Sequence, residues 1–221
     1  MDAVVRLPAS PLYVILDRSV AAGRDLPSLL EAVLAGGCRI VQLREKIMPL
    51  AELLPVAERL ARRCREAGAL FIVNDRADLA LASGAGGLHV GQDDLPAPAA
   101  RRILGPDVVL GVSTHDPTQA RRAVADGADY VAVGSIFPTT TKAGFQLVGP
   151  ELIRTVRREV PVPLIGIGGI TVDNAAAVLD AGGDAVAVIS AVCAAPDPEA
   201  ATRHLLARLG SATPAGGRRP A

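Results

Sequence analysis

Short apolar runs recur along the chain, each closed by polar or glycine residues and followed by a stretch with helical spacing. The runs rich in Val, Ile and Leu predict strands at Leu12–Leu16, Arg39–Leu43, Leu70–Val73, Gly87–Val90, Val108–Val112, Tyr130–Val133, Leu164–Ile167 and Ala185–Ile189. Leu26, Leu29, Leu30, Val33 and Leu34 follow the i, i+3, i+4, i+7, i+8 pattern of one helix face, with Asp25 as N-cap and Gly36-Gly37 as the stop. Helical spacing also fits Leu50–Ala67, Pro117–Asp126, Pro150–Arg158, Val172–Ala181 and Pro198–Leu209. The strand runs are continuous rather than alternating, as expected of parallel strands covered on both faces. Eight strand-then-helix units in about 210 residues predict a single (β/α)8 TIM barrel in the α/β class, with a doubly wound sheet as the alternative. Residues 1–210 are read as one catalytic domain. Residues 211–221, with their Ser, Pro, Gly and Arg content, are read as a disordered tail.

Composition narrows the function. The chain has 221 residues, half of them hydrophobic, and a formal net charge of zero, so no basic field points to nucleic acid or to an anionic membrane. With no Trp, two Tyr and three Phe, aromatic platforms for stacking bases are scarce. No apolar run reaches membrane-spanning length, and no charged-then-apolar leader precedes Pro8, which predicts a cytoplasmic protein. Cys38, Cys64 and Cys193 are scattered and read as buried reduced thiols, Cys64 on the same helix face as Leu53, Ala57 and Leu60. The outer helix faces are apolar enough to allow a homo-oligomer as well as a monomer.

Of 23 basic residues only Lys46 and Lys142 are lysines. Lysine is a compact point charge and arginine a planar fork, so the two are not interchangeable in a site. In a barrel, loops after the strands gather on one face, which brings Gln42, Arg44 and Lys46 together with Asn74 and Asp75, with Gln92, Asp93 and Asp94, and with Ser113 and His115. Thr139, Thr141, Lys142, Gly166, Gly168, Gly169 and Ser190 belong to the same rim. Strand alternation places Gln42 and Arg44 on one side. Arg44, Lys46 and Lys142 suit an anion with several charges. Asp75 with Asp93 or Asp94 suits Mg2+, which is commonly held by one or two carboxylates plus substrate phosphates, although Asp75 could equally cap a short helix. Gly166-Ile-Gly-Gly-Ile170 and Ile189-Ser190 suit a monophosphate bound through backbone amides, or tight turns that require glycine. His89, inside the fourth strand, reads as structural, His115 as an orienter or bystander, and His204 as solvent-facing. No HExxH, GxSxG or Walker sequence is present. The inventory favours departure of a leaving group over proton abstraction.

Seven segments occur in one order: Gln-Leu-Arg-Glu-Lys (42–46), Phe-Ile-Val-Asn-Asp (71–75), His-Val-Gly-Gln-Asp-Asp (89–94), Gly-Val-Ser (111–113), Pro-Thr-Thr-Thr-Lys (138–142), Gly-Ile-Gly-Gly-Ile (166–170) and Val-Ile-Ser (188–190). Together they resemble the thiamine-phosphate synthase family from about Leu12 to about Leu209. The resemblance implies the same barrel and a transferase reaction in thiamine biosynthesis. In that reaction 4-amino-2-methyl-5-hydroxymethylpyrimidine diphosphate is joined to 4-methyl-5-(2-phosphoethyl)thiazole, releasing diphosphate by a dissociative route. It further implies that Gln42, Arg44, Lys46, Asn74, Ser113 and Lys142 bind the pyrimidine diphosphate, with Arg44, Lys46, Ser113 and Lys142 catalytic. By the same resemblance Asp75 and Asp94 hold Mg2+, and Thr139, Thr141, Gly169, Ile189 and Ser190 hold the thiazole phosphate. A thiazole tautomerase, a sugar-phosphate isomerase and a catalytically silent phosphate sensor are the rival expectations. Asp75, Asp94 and Lys142 weigh for the synthase.

Overall fold

A computed structural model describes residues 7–139 and 147–210. Eight parallel strands pair in chain order and close on themselves, β1 lying between β2 and β8. They are β1 (Leu12–Asp17), β2 (Ile40–Arg44), β3 (Leu70–Asn74), β4 (Gly87–Val90), β5 (Val109–Thr114), β6 (Tyr130–Gly134), β7 (Leu164–Ile167) and β8 (Ala185–Val188). The helices on the outside are α1 (Leu26–Ala35), α2 (Leu50–Glu66), α3 (Ala77–Ser83), α4 (Ala97–Leu104), α5 (Pro117–Ala125), α6 (Pro150–Arg157), α7 (Ala176–Asp180), α8 (Ser190–Cys193) and α9 (Pro198–Gly210). The predicted barrel is therefore present. The predicted strand positions agree to within one or two residues at their ends.

The continuous apolar runs have a definite cause. Successive side chains on a strand point to opposite faces, and here both faces are buried. Along β1, Leu12, Val14 and Leu16 pack outward against the helices, while Tyr13 and Ile15 point into the barrel. The same alternation puts Ile40 inside and Val41 and Leu43 outside on β2, and Ile72 inside and Phe71 and Val73 outside on β3. The outer layer is the larger core, and α1 adds Leu26, Leu29, Leu30, Val33 and Leu34 to it, the stripe predicted from spacing. Asp25 caps α1 by accepting the Ser28 N–H at 2.9 Å. Leu16 is wholly buried in this layer. Leu16→Ala is expected to cost about 2–5 kcal/mol of unfolding free energy, read from the denaturation midpoint; a cost well under 1 kcal/mol would contradict its place there.

At the end of the barrel away from the strand C-termini, the same device occurs twice. Asp129 accepts the Leu110 N–H at 2.7 Å and pairs with Arg101, and Asp184 accepts the Leu164 N–H at 2.7 Å and pairs with Arg157. Each carboxylate secures the first residues of a neighbouring strand to the preceding helix, a stabilising role at the face that carries no chemistry in this fold.

The helices depart from the expected pattern at several places. α4 and α8 were not predicted, α3 was weighed only as a short helix that Asp75 could cap, and α7 begins at Ala176 rather than Val172. Its start is delayed because the Asn174 side chain accepts the Thr171 N–H at 2.8 Å, forming a turn that competes with helix. All three cysteines are buried free thiols, and burial pushes Cys38 and Cys193 to about 11 and Cys64 to about 12, so none is a thiolate near neutrality. His204 on α9 is exposed, as predicted. Among the described residues no helix is long and apolar enough to cross a membrane.

Candidate active site

The C-terminal ends of the strands surround a cavity of about 380 Å³. Its walls follow from strand parity. The inward phase that carries Tyr13, Ile40 and Ile72 deeper in the barrel carries Gln42 and Arg44 at the end of β2, Asn74 at the end of β3, and Ser113 near the end of β5. Gln42 is buried, and Arg44 and Lys46 sit nearer the mouth. Asp75 and Asp94 line the wall beside them, from the loops after β3 and β4. Across the opening stand Thr139, Gly168, Gly169, Ile189 and Ser190. Within the described segments, every residue that the family resemblance assigns to the site lines this one cavity. Thr141 and Lys142 lie outside the described residues.

Three members of the predicted rim do not line the cavity. Asp93 is exposed on the outside of its loop, which leaves Asp94 as the carboxylate facing Asp75. The Gln92 side chain is used in the scaffold, donating to the Ser113 carbonyl at 2.6 Å. Gly166 faces the helices, where a Cβ would meet Val178 Cγ1 at 2.5 Å, so its role is helix packing.

The cations are held by partners that sequence reasoning missed. Arg44 pairs with Asp17 at the end of β1. Asp17 is itself buried and is fixed by the Ser19 N–H at 2.9 Å and the Ser19 hydroxyl at 2.6 Å. Glu45 accepts the N–H groups of Ile47 and Met48 at 2.8 and 3.1 Å and the Arg18 guanidinium at 2.8 Å, which folds the loop that carries Lys46. Lys46 pairs with Asp75. Asp75 occupies the left-handed region at φ 62°, unusual for a residue other than glycine, and its N–H donates to the His89 carbonyl at 2.8 Å. It does not cap α3, whose N-cap is Arg76. The strained backbone instead aims its carboxylate at Lys46 and Asp94, and such strain is common where a site must be held in one geometry.

The Asp75 and Asp94 carboxyls sit side by side, and each changes how readily the other ionises. Burial raises the Asp75 carboxyl above the ordinary range, and the hydrogen bond and charge of Asp94 add to that while Lys46 opposes it. Burial also works against ionising Asp94, but the hydrogen bond from Asp75 and the Gly91 N–H, which donates at 2.8 Å, hold it below the ordinary range. Two carboxyls this close favour either a shared proton or a cation between them. Among the described residues no group of three or more His, Cys, Asp or Glu is placed to hold a metal by itself. A two-carboxylate set does not make a zinc cage, but it fits a hard ion that completes its shell with water and substrate oxygens.

On the opposite side, the loop after β6 and the loop after β7 approach closely. Gly169 has φ 63°, and a Cβ there would lie 2.3 Å from the Pro138 carbonyl oxygen. The glycine is required by the turn and by the contact alike. His115 lines the cavity with its Nδ1 at 2.6 Å from the Gly134 carbonyl, in keeping with an orienting role. His89 also lines it, and its ring is bonded inside the barrel to Tyr130 and Ser113.

A family model described as thiamine monophosphate synthase matches residues 12–192. Among proteins of similar sequence, a thiamine-phosphate synthase of Moorella thermoacetica is 50% identical over 201 residues, covering 90% of this chain and 95% of its own. One from Roseiflexus sp. is 49% identical over 203 residues, covering 91% and 86%. Among solved structures, a thiamine phosphate pyrophosphorylase from Pyrococcus furiosus superposes with a TM-score of 0.86 at 37% identity, covering 92% of this chain and 97% of that one. A 3-hexulose-6-phosphate synthase, 22% identical with a TM-score of 0.68, shares the fold alone.

Proposed function

The chain belongs to the thiamine monophosphate synthase family, and from that premise we propose how its residues carry the reaction. The substrates are 4-amino-2-methyl-5-hydroxymethylpyrimidine diphosphate and 4-methyl-5-(2-phosphoethyl)thiazole. The observation that carries this reading is the division of the cavity: cations and a carboxylate pair on one wall, Thr139, Gly169 and Ser190 on the other. Arg44, Lys46 and Lys142 take the diphosphate, with Gln42, Asn74 and Ser113 on the pyrimidine side. Thr139, Thr141, Gly169, Ile189 and Ser190 take the thiazole phosphate.

Asp75 and Asp94 hold Mg2+, which when bound supplies positive charge to the diphosphate oxygens. To receive substrate, Arg44 turns part of its fork from Asp17 to the phosphate oxygens, and Lys46 exchanges the Asp75 carboxylate for them. The bond between the pyrimidine methylene carbon and the diphosphate oxygen then breaks, and its electron pair leaves with the diphosphate. Fixed donors facing the departing group are worth most as that charge develops. The exocyclic amine delocalises the positive charge left on the pyrimidine methylene. The thiazole nitrogen, held within reach by its phosphate, gives its lone pair to that carbon, closing the C–N bond. No proton is transferred, which accords with a cavity whose histidines are already engaged with Tyr130, Ser113 and the Gly134 carbonyl. Positioning of the two rings supplies the remaining rate advantage.

The direct test is incubation with both substrates, with and without Mg2+. Thiamine phosphate and diphosphate should form in equal amounts, and only with the metal. Turnover of the thiazole phosphate alone, independent of metal, would replace this reading with a tautomerase. Lys142→Ala should lower kcat about a hundredfold while leaving thiazole phosphate affinity little changed, because a donor to the leaving group acts in the transition state. Equal losses in both would remove Lys142 from the diphosphate site.

A further inference from the structure

A chain of polar side chains crosses the interior of the barrel beneath the cavity. The Gln42 amide Nε2 donates to Tyr13 Oη at 2.6 Å, and Tyr13 Oη lies 3.1 Å from Tyr130 Oη. Tyr130 Oη lies 2.9 Å from His89 Nδ1, and His89 Nε2 lies 2.9 Å from Ser113 Oγ. The two tyrosines and the histidine are buried at 2%, 0% and 7% exposure, among Ile15, Ile72, Val109 and Ile165. Hydroxyls in such surroundings are costly unless paired, and apolar side chains would fill the space without them. The chain has only two tyrosines, and both are here. The backbone makes room for one of them: a Cβ on Gly111 would lie 2.0 Å from Tyr130 Cζ, so β5 has no side chain where that ring passes.

We propose that Tyr13, Tyr130 and His89 are positioning residues: the hydrogen-bond chain they form holds the Gln42 amide and the Ser113 hydroxyl in one donor–acceptor polarity, which selects an amino-substituted pyrimidine ring. The proposal rests on the pyrimidine diphosphate reading of the site.

The polarity follows from counting protons. Gln42 donates into the chain, so the Tyr13 hydroxyl passes its own proton to Tyr130. Pairing every proton along the chain then requires Tyr130 to donate to His89 Nδ1 and the His89 tautomer protonated at Nε2 to donate to Ser113 Oγ. Gln42 therefore presents its amide oxygen as an acceptor, and Ser113 keeps a hydroxyl proton to donate. Both residues line the cavity. An exocyclic amine next to a ring nitrogen offers the complementary donor and acceptor; an oxo group in place of the amine offers the wrong sign at one position. Burial raises both tyrosine hydroxyls well above their ordinary range, so they stay protonated and the chain keeps its sense. The His89 and Tyr130 rings stack with centroids 5.5 Å apart and Tyr13 meets Tyr130 edge-on at 6.2 Å, which fixes the planes of the three rings.

Calorimetric binding to the full chain tests this with three probes: the aminopyrimidine diphosphate, its analogue with oxygen replacing the amine, and inorganic diphosphate. Tyr130→Phe and Tyr13→Phe each remove one oxygen and keep the ring, and the pair guards against one variant failing to fold. Wild type should prefer the amino ligand. Each variant should reduce that preference about tenfold, the worth of a lost oriented hydrogen bond. KM for the pyrimidine substrate should rise more than kcat falls. Affinity for inorganic diphosphate should not move, since Arg44 and Lys46 lie outside the chain. An unchanged amino-to-oxo ratio, or equal loss for all three probes, would assign these residues to packing and overturn the proposal. If wild type itself fails to separate the amino from the oxo ligand, the pyrimidine reading falls and takes the proposal with it.

Discussion

Arg44→Ala is expected to lower kcat/KM by about a thousandfold, the upper end of what losing one preorganised donor to a developing charge costs. Among the described residues, Arg44 is the one cation of the cavity wall that combines partial burial with a fork able to hold two phosphate oxygens at once. Arg44→Lys keeps the charge but loses the fork, so it should recover only part of the activity. A second loss accompanies the first. Asp17 would be left as a buried carboxylate whose remaining partner is Ser19. Stranding one member of a buried pair costs about 3–5 kcal/mol, and with Arg44 partly exposed and Ser19 retained the lower end applies. Thermal denaturation beside steady-state kinetics separates the two losses: Asp17→Asn should weaken catalysis far less than Arg44→Ala. If Asp17→Asn were as damaging as Arg44→Ala, the arginine would act through the fold rather than on the diphosphate.

The second large effect is expected at Asp75. Removing an outer partner of a metal ligand typically costs 10–100-fold in affinity, so Asp75→Asn, which alters a ligand itself, should weaken Mg2+ binding by about a hundredfold or more. The rise in melting temperature on adding Mg2+ and diphosphate should disappear with it. An unchanged calorimetric metal titration would remove Asp75 from the site. The pH dependence has a definite sign. Burial, with Asp94 next to it, raises the Asp75 carboxyl, so the folded chain holds that proton more tightly than the unfolded chain. The contribution of Asp75 to stability is therefore fully present below the ordinary carboxylate range and is lost as pH rises through its raised value. Asp94 behaves oppositely, its contribution being lost as pH falls through its lowered value. Mg2+ competes with the Asp75 proton, so metal affinity should weaken as pH falls toward the raised value. Asp75→Asn abolishes the like-charge pair, and the ligand-free variant should be no less stable than wild type above that pH.

Much of this was legible before any coordinates. The β2 run predicted both its strand and the common side of Gln42 and Arg44, because a period of two residues decides facing once the strand is placed. α1 was readable from its stripe and its Asp25 cap. Other elements were not. α4 has Pro96 immediately before it and Pro98 in its first turn, so the segment reads as a break in the chain rather than as the start of a helix. α8 has four residues, too few to show a period. The partners of the cations were hidden for another reason. Asp17 and Arg44 are brought together only by the pairing of β1 with β2, and no local spacing encodes which carboxylate faces which guanidinium. His89 read only as a structural residue, and nothing local joined it to Tyr13 and Tyr130, because their meeting depends on the inward phase of β1, β4 and β6.

That inward phase has a wider consequence. Adjacent residues on one strand answer to separate demands: one is matched to the sleeve of helices, the next to whatever occupies the hollow. Selection can refurnish the hollow, exchanging a glutamine or a serine for a different grip, while the neighbours that keep the sleeve in place stay as they are. New chemistry on this architecture therefore needs few changes, provided that they fall on every second position.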